Sequence, residues 1–483
     1  MKKLFVGLGS AAFICLVFFA CKKSFQQDAE NKDLGSLSKA KALQACVFET
    51  LSGNIVSNRT LSASTVYKLD GCVTVKSGAT LTIPANTLLQ GMKAPSSGGK
   101  SVLIVERGAK LNINGTATNP VIFTSDQAPG SRLPGDWAGL RIFGQAPNNN
   151  SNALNVDLGC ATYTGGGTNS ADNSGTMQYF QVHFAGAAAN ANDFSQAAVM
   201  LNSVGTATTF DHVQISNPIN DALAAFGGTV KLSNIASYNA DRTDFRYEFG
   251  YRGNSQFLTA MRLNNSAIPS ALAYGVDITN NRFAPTAVLF TQPVISNFTA
   301  LGPNYCNGTM PNGNFRASVR IGNQAAGKIY NSVLSSWNPT ATSCGFLIDG
   351  ATSISKTATN DLQFSYNSFH NSGATPYGII GTWTSACDVS MLNWITGAGG
   401  LPCDETGNQF SVSTLGYNTS FCSNFCSSFT SNFTLGTTTL ASPNYGWDTG
   451  SGFAHPSYRG AFGATDWTQG WTDWCAQNKI YCN

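Results

Sequence analysis

One stretch of the chain, 211–248, gathers most of the side chains that could do chemistry: Asp211-His212, Asp221, Asp241-Arg242, Asp244 and Arg246-Tyr247-Glu248. Oxygen ligands collected this densely could hold a calcium ion, which takes about 6–8 of them. Two carboxylates could equally do acid–base work on a glycosidic bond. Against both stands a plainer reading, in which each acid caps a turn or pairs with Arg242, Arg246 or Arg252. Asp211, Asp221, Asp241, Asp244 and Glu248 are therefore the candidate calcium or polar site, and Ca2+ is the one cofactor the sequence raises. A β-eliminating lyase would add a base beside calcium or arginine, and no spacing here singles one out.

Other motifs are sparse. His183, His212, His370 and His455 are isolated, with no HExxH pair, no GxSxG elbow and no phosphate-cradling loop. No catalytic residue can be named, which weighs against an enzyme without closing the question. Trp467, Trp471 and Trp474 fall at i, i+4 and i+7. Flat rings in a row could stack sugars. The spacing also fits the buried face of a short segment capping the last coil, and that is the expectation.

The ends and the composition set the context. Met1-Lys2-Lys3 precedes an apolar run, Leu4 to Ala20, closed by Phe18-Phe19-Ala20-Cys21. A basic start, an apolar core and a small residue before cysteine make a lipoprotein signal, with Cys21 the acylated residue. An uncleaved N-terminal anchor is the alternative. Residues 1–20 are thus read as signal and 21–45, polar and aperiodic, as a tether. The address is the cell envelope, as an outer-membrane lipoprotein joined to the membrane through lipid. Only 11% of residues are charged and the net charge is +3, which excludes the basic footprint of a nucleic-acid binder.

Thirteen cysteines in an exported chain favour disulfides over zinc. Proximity in sequence suggests Cys46–Cys72, Cys306–Cys344, Cys387–Cys403, Cys422–Cys426 and Cys475–Cys482, leaving Cys160 free, although spacing alone does not determine connectivity.

The elements that must position these residues are short strands. VTVKSGATLTI (73–83) recurs as LIVERGAKLNI (103–113), thirty residues on. Each copy alternates apolar and polar residues on both sides of a Gly-Ala turn, and a fixed period of this length signals a solenoid or propeller. Further strands are expected at 176–185, 198–202, 208–216, 228–237 and 256–263. The fold class is all-β: a right-handed parallel β-helix over 46–370, followed over 371–483 by distal coils, long loops and a C-terminal cap, loop-rich and disulfide-stapled.

Several strings carry a family resemblance: GATLTIPANT (78–87), VERGAKLNINGTATNPVIFTS (105–125), GDWAGLRIFGQAP (135–147), NSGTMQYFQVHFAG (173–186), FGGTVKLSN (226–234), DRTDFRYEFGYRGNSQF (241–257) and YRGAFGATDWTQGWTDW (458–474). The chain resembles a Bacteroidetes-type family of exported right-handed β-helix proteins, often lipoproteins and mostly of unknown function. That family usually has an acidic run before its Gly-Gly-Thr-Val strand; here Asp221 is the one acid in it. The resemblance implies a fold and a location. The functional expectation is non-catalytic surface binding or adhesion, with extracellular polysaccharide as ligand or surface proteins as partners. Alternatives are a polysaccharide lyase or hydrolase on the same scaffold, or a structural surface-layer component.

Overall fold

Strand Thr80–Pro84 lies directly against Lys110–Asn114, with Leu81 beside Leu111 and Ile83 beside Ile113. Thirty residues is therefore one turn of a solenoid. Leu81, Ile83, Leu111 and Ile113 are fully buried, because alternation sends every second side chain inward and stacking places like on like. Gly78 and Gly108 stand at φ 87° and 86° in the turn before these strands, a backbone region that a side chain would strain.

The computed structural model describes residues 46–262, 269, 271–306, 314–337, 344–373, 375–417, 422, 433–434, 440 and 442–481. Among them, 27 strands join into one sheet that winds through three parallel faces. The first face includes Leu88–Gly91, Val121–Ser125, Thr299–Leu301, Val333–Ser335 and Ser368–His370. The second runs through Val102–Val105, Gly139–Phe143, Ala197–Asn202, Asp221–Phe226, Thr243–Glu248, Ala273–Ile278, Phe315–Gly322, Cys344–Asp349 and Tyr377–Ile380. The third includes Thr80–Pro84, Lys110–Asn114, Val294–Ser296, Gly327–Tyr330 and Leu362–Ser365.

Four strands bend from the third face onto the first: Thr176–His183, Thr209–Ser216, Leu232–Tyr238 and Asn254–Met261. At each bend one residue takes positive φ: Tyr179, His212, Asn234 and Phe257, and in later coils Asn297, Asn331 and Tyr366. Asparagine tolerates that conformation best among non-glycine residues, so the chain's Asn-rich character is partly a corner requirement. The interior is a continuous column of Val, Ile, Leu and Phe. The fold is the expected parallel β-helix, and its rungs continue through Tyr377–Ile380 and Gln409–Val412, in the region read as distal coils.

Two additions cover the outside. An antiparallel hairpin, Leu154–Asp157 with Thr162–Gly165, packs Leu154, Val156, Leu158 and Tyr163 on Ile104, Phe143 and Met200 of the second face. The C-terminal segment 442–481 lies along the coils rather than closing the last one, correcting the expected cap. Asn331 Nδ2 donates to Asn444 O at 2.9 Å, and Gln256 Nε2 to Ala454 O at 2.7 Å. The segment doubles back to Asn331 at Gly460, then reaches Gln214 at Asp473 and Arg132 at Ala476. Over the first face it forms a second apolar layer, in which Ala461, Phe462 and Trp474 meet Tyr238, Met261, Leu301 and Val333.

The disulfides follow the solenoid rather than the sequence. Cys387–Cys403 forms as expected. Cys72 pairs with Cys160, so Cys160 is not free and Cys46–Cys72 does not form. Cys306 pairs with Cys422, which removes Cys306–Cys344 and Cys422–Cys426; Cys344 is a buried free thiol. Cys46 and Cys475 are also disulfide-bonded. The reason is geometric: winding brings the hairpin's Cys160 onto strand Thr65–Val75, to a Cα separation of 6.5 Å from Cys72, inside the range a bridge spans. Cys21, Cys426, Cys482 and the tether lie outside the described residues. No helix among the described residues is long and apolar enough to cross a membrane.

Candidate functional site

Outward positions on the second face stack one above another, about 4.8 Å apart. One such column reads Met200, Ala224, Arg246, Asp277, Arg320, Leu347. Its beginning is roofed by the hairpin, and its middle carries alternating charge. Around that middle the side chains form a row of ion pairs. Arg242 grips Asp221 with two bonds, Nε to Oδ1 at 2.8 Å and Nη2 to Oδ2 at 2.6 Å. Arg246 bridges onward, Nη1 to Asp221 Oδ2 at 3.0 Å and Nη2 to Glu248 Oε2 at 2.8 Å. Arg282 closes on the other side of Glu248, its Nε and backbone N–H both donating to Oε1, at 3.0 and 2.9 Å. One coil further, Arg320 donates to Asp277 at 3.0 Å and to Asp349 at 2.6 Å. Gly322 leaves room for the last pair, since a Cβ there would sit 2.9 Å from that of Asp349.

At Asp221 and Glu248 the acids lie beneath and Arg242 and Arg282 above. Side chains of Asp221 and Glu248 are 0% and 1% exposed, whereas those of Arg242 and Arg282 are 26% and 27% exposed. Burial by itself would raise the Asp221 carboxyl, but Arg242 and then Arg246 overcome it and hold the group below its ordinary value. Burial wins at Glu248 and pushes its carboxyl up to about 7 against the pull of Arg246. The chemistry available is recognition: guanidinium forks with spare N–H groups facing outward, backed by carboxylates already engaged.

The five acids singled out in the sequence do not converge. Asp221 and Glu248 share Arg246. Asp244 turns to the corner with the first face, where Ser237 Oγ donates to it at 2.6 Å and Arg262 at 2.9 and 3.0 Å. Asp211 stands on the third face, its Oδ2 2.7 Å from Nδ1 of His212. Asp241 occupies the turn before Arg242, its N–H bonded to Pro218 O. The five are not gathered into one cage, because the winding offers them to different faces and corners. No group of three or more His, Cys, Asp or Glu side chains among the described residues could hold a metal ion.

The tryptophan row is likewise not an open platform. Trp471 and Trp474 are buried at 1% and 6% exposure, and only Trp467 is half-buried. Trp471 instead closes over His212 and Tyr179, edge-on at 5.7 and 5.9 Å.

Sequence reasoning missed Asp277, Arg282, Arg320 and Asp349. Their signal is one of register: 246, 277 and 320 become neighbours only when the coil lengths between them are known.

The charged row thus lies on the flank of a three-faced solenoid, and the comparison with known families identifies that solenoid. A model of the pectate-lyase-like β-helix domain matches residues 53–397, more than half of the chain, and the chain belongs to that family. No curated protein and no solved structure matches it.

Proposed function

We propose that this protein binds an extracellular polysaccharide along the second face of its β-helix without cleaving it, while Cys21 holds it at the cell envelope by lipid. One observation carries the non-catalytic half. Every carboxylate of the row is taken up by arginine: Asp221 by two, Glu248 by two, and Asp277 with Asp349 by Arg320. A glycosidase needs two carboxyl groups that reach the substrate, whereas Asp221 and Glu248 lie under their partners and Asp277 and Asp349 are both tied to Arg320. Membership of a pectate-lyase-like family supports polysaccharide as the ligand class, although a shared fold does not by itself transfer an activity.

The test is a glycan array and affinity electrophoresis on the soluble 24–483 fragment, run beside a reducing-end assay. Retention without product is expected, and the Arg242→Ala/Arg282→Ala pair should weaken binding about tenfold or more, as the loss of charge-assisted contacts implies. Absence of any retained glycan would sink the reading. Release of product would favour the enzyme alternative, for which Glu248, with a carboxyl near 7, is the acid–base group to test as Glu248→Gln. Palmitate labelling that persists in Cys21→Ala would remove the anchor.

A further inference from the structure

Arg282 lies in a loop, 280–290, whose base is tied by several side-chain hydrogen bonds. Asn280 and Asn281 at its base are fully buried. Asn281 Oδ1 accepts from the N–H groups of Phe283 and Ala284 at 2.9 and 3.0 Å. Asn280 Nδ2 donates to Pro285 O and Ala287 O at 2.8 and 2.9 Å, and Asn149 Nδ2 donates to Asn280 Oδ1 at 2.8 Å. Glu248 clamps Arg282 from beneath.

A loop pinned this well could turn its aromatic ring inward, yet Phe283 is 58% exposed. The ring is not loose. It meets Phe194 edge-to-face at 5.3 Å and lies 5.6 Å from Phe249. Beside it the guanidinium of Arg282 sits 5.2 Å from the Phe194 ring centre, and its Nη1 has one protein contact, to Phe194 O at 3.4 Å. Along the row, Arg242 spends Nε and Nη2 on Asp221, and its side chain is 26% exposed. The result is a fixed, solvent-facing aromatic ring next to unspent planar donors. A ligand that is apolar on its face and rich in acceptors at its rim fits that combination, and a pyranose ring has this form. The same loop also exposes Val288 at 79% and Leu289 at 41%, so a protein contact is the competing occupant and is separated by the test below.

We propose that Phe283 and Arg282 form a sugar-stacking subsite, in which one pyranose ring of the polysaccharide lies on Phe283 while its hydroxyl or carboxylate oxygens accept from Arg282. This rests on the glycan-binding reading above. The subsite is already ordered, so binding forfeits little loop entropy.

Phe283→Ala and Phe283→Trp in the 24–483 fragment test it, by affinity electrophoresis in gels containing polygalacturonate or a neutral β-1,4-glucan, with thermal unfolding alongside. Expected are a loss of about tenfold or more in affinity for Phe283→Ala, retention within about threefold for Phe283→Trp, and unchanged melting of both. Phe283→Ala binding as tightly as the parent overturns the subsite while leaving the glycan reading intact. A parent that binds neither probe removes both. Loss of self-association in Phe283→Ala, measured by light scattering, with glycan affinity unchanged would show the ring to be a protein contact and also overturns it.

Discussion

Along the second face, one backbone register supports two unlike surfaces. From Val102 to Phe226 the outward side chains under the hairpin are mostly apolar, and Phe143, Met200 and Phe226 pack there with Leu154 and Val156. From Arg246 to Arg320 the equivalent positions of the column carry charge, with side chains 12–13% exposed. The inward residues hardly change across this boundary: Val199, Leu223, Phe245, Val276 and Val319 are all buried in the core. The core thus fixes the winding, and what covers the outside decides whether a position must be oily. Even the roofed half contains one ion pair, Arg141 with Asp193 at 3.4 Å, sealed at 0% exposure on both sides.

The comparison can be broken most sharply at Asp221. Asp221→Ala leaves two guanidinium groups facing each other above a buried void, and should cost about 3–5 kcal/mol in denaturant unfolding. Replacing Asp221, Arg242 and Arg246 together by Leu, Met and Met should restore stability to near the parent value, because apolar residues can substitute for a buried ion cluster. If the triple variant is as unstable as the single one, the two halves are not interchangeable surfaces on one scaffold.

In the roofed half, Met200→Ala should cost about 2–4 kcal/mol, the usual range for opening a cavity under a packed methionine. A much smaller loss would mean that the hairpin collapses onto the vacancy.

Glu405 sharpens the contrast from another direction. It is 2% exposed and receives Ser365 Oγ but no arginine, and burial raises its carboxyl to about 7 from an ordinary 4.5. The folded chain therefore keeps this proton longer than the unfolded chain does. The associated stability is complete below pH 4.5 and is lost as pH rises through 7. Glu405→Gln should remove that part of the pH dependence, read from unfolding midpoints between pH 5 and about 8, and should leave the carboxylates of the arginine row unaffected. The smallest effect is expected at Glu49, paired with Arg59 where both are well exposed. Glu49→Ala should change stability by less than about 1 kcal/mol.

Much of the winding was legible. The thirty-residue repeat is the stacking of Val73 on Leu103 and Leu81 on Leu111, and strands expected at 198–202 and 208–216 correspond to Ala197–Asn202 and Thr209–Ser216. Alternation is a local signal and survives without knowledge of neighbours. The site was half legible. Asp221, Arg242, Arg246 and Glu248 lie close in sequence, but Arg282 and Arg320 enter from later coils whose lengths vary with their loops. Disulfides failed for the same reason: Cys72 and Cys160 are 88 residues apart yet adjacent in the stack. The tryptophan segment misled because its helical spacing suited a cap, whereas its burial comes from lying flat on the first face.

That segment has a bearing on how the molecule assembles. A solenoid is a nearest-neighbour stack, and its coils can in principle form and fray one at a time. Arg132 Nη1 donates to Ala476 O, across 344 positions of chain, and Gln214, Gln256 and Asn331 are fastened by the same run of residues. Contacts of such separation are slow to form, so they close last, after the coils they span have wound. Once closed, no spanned coil can open alone. Fraying, which would begin at an end, has to break the fastening first, and a graded stack becomes an all-or-none unit at the final step of folding.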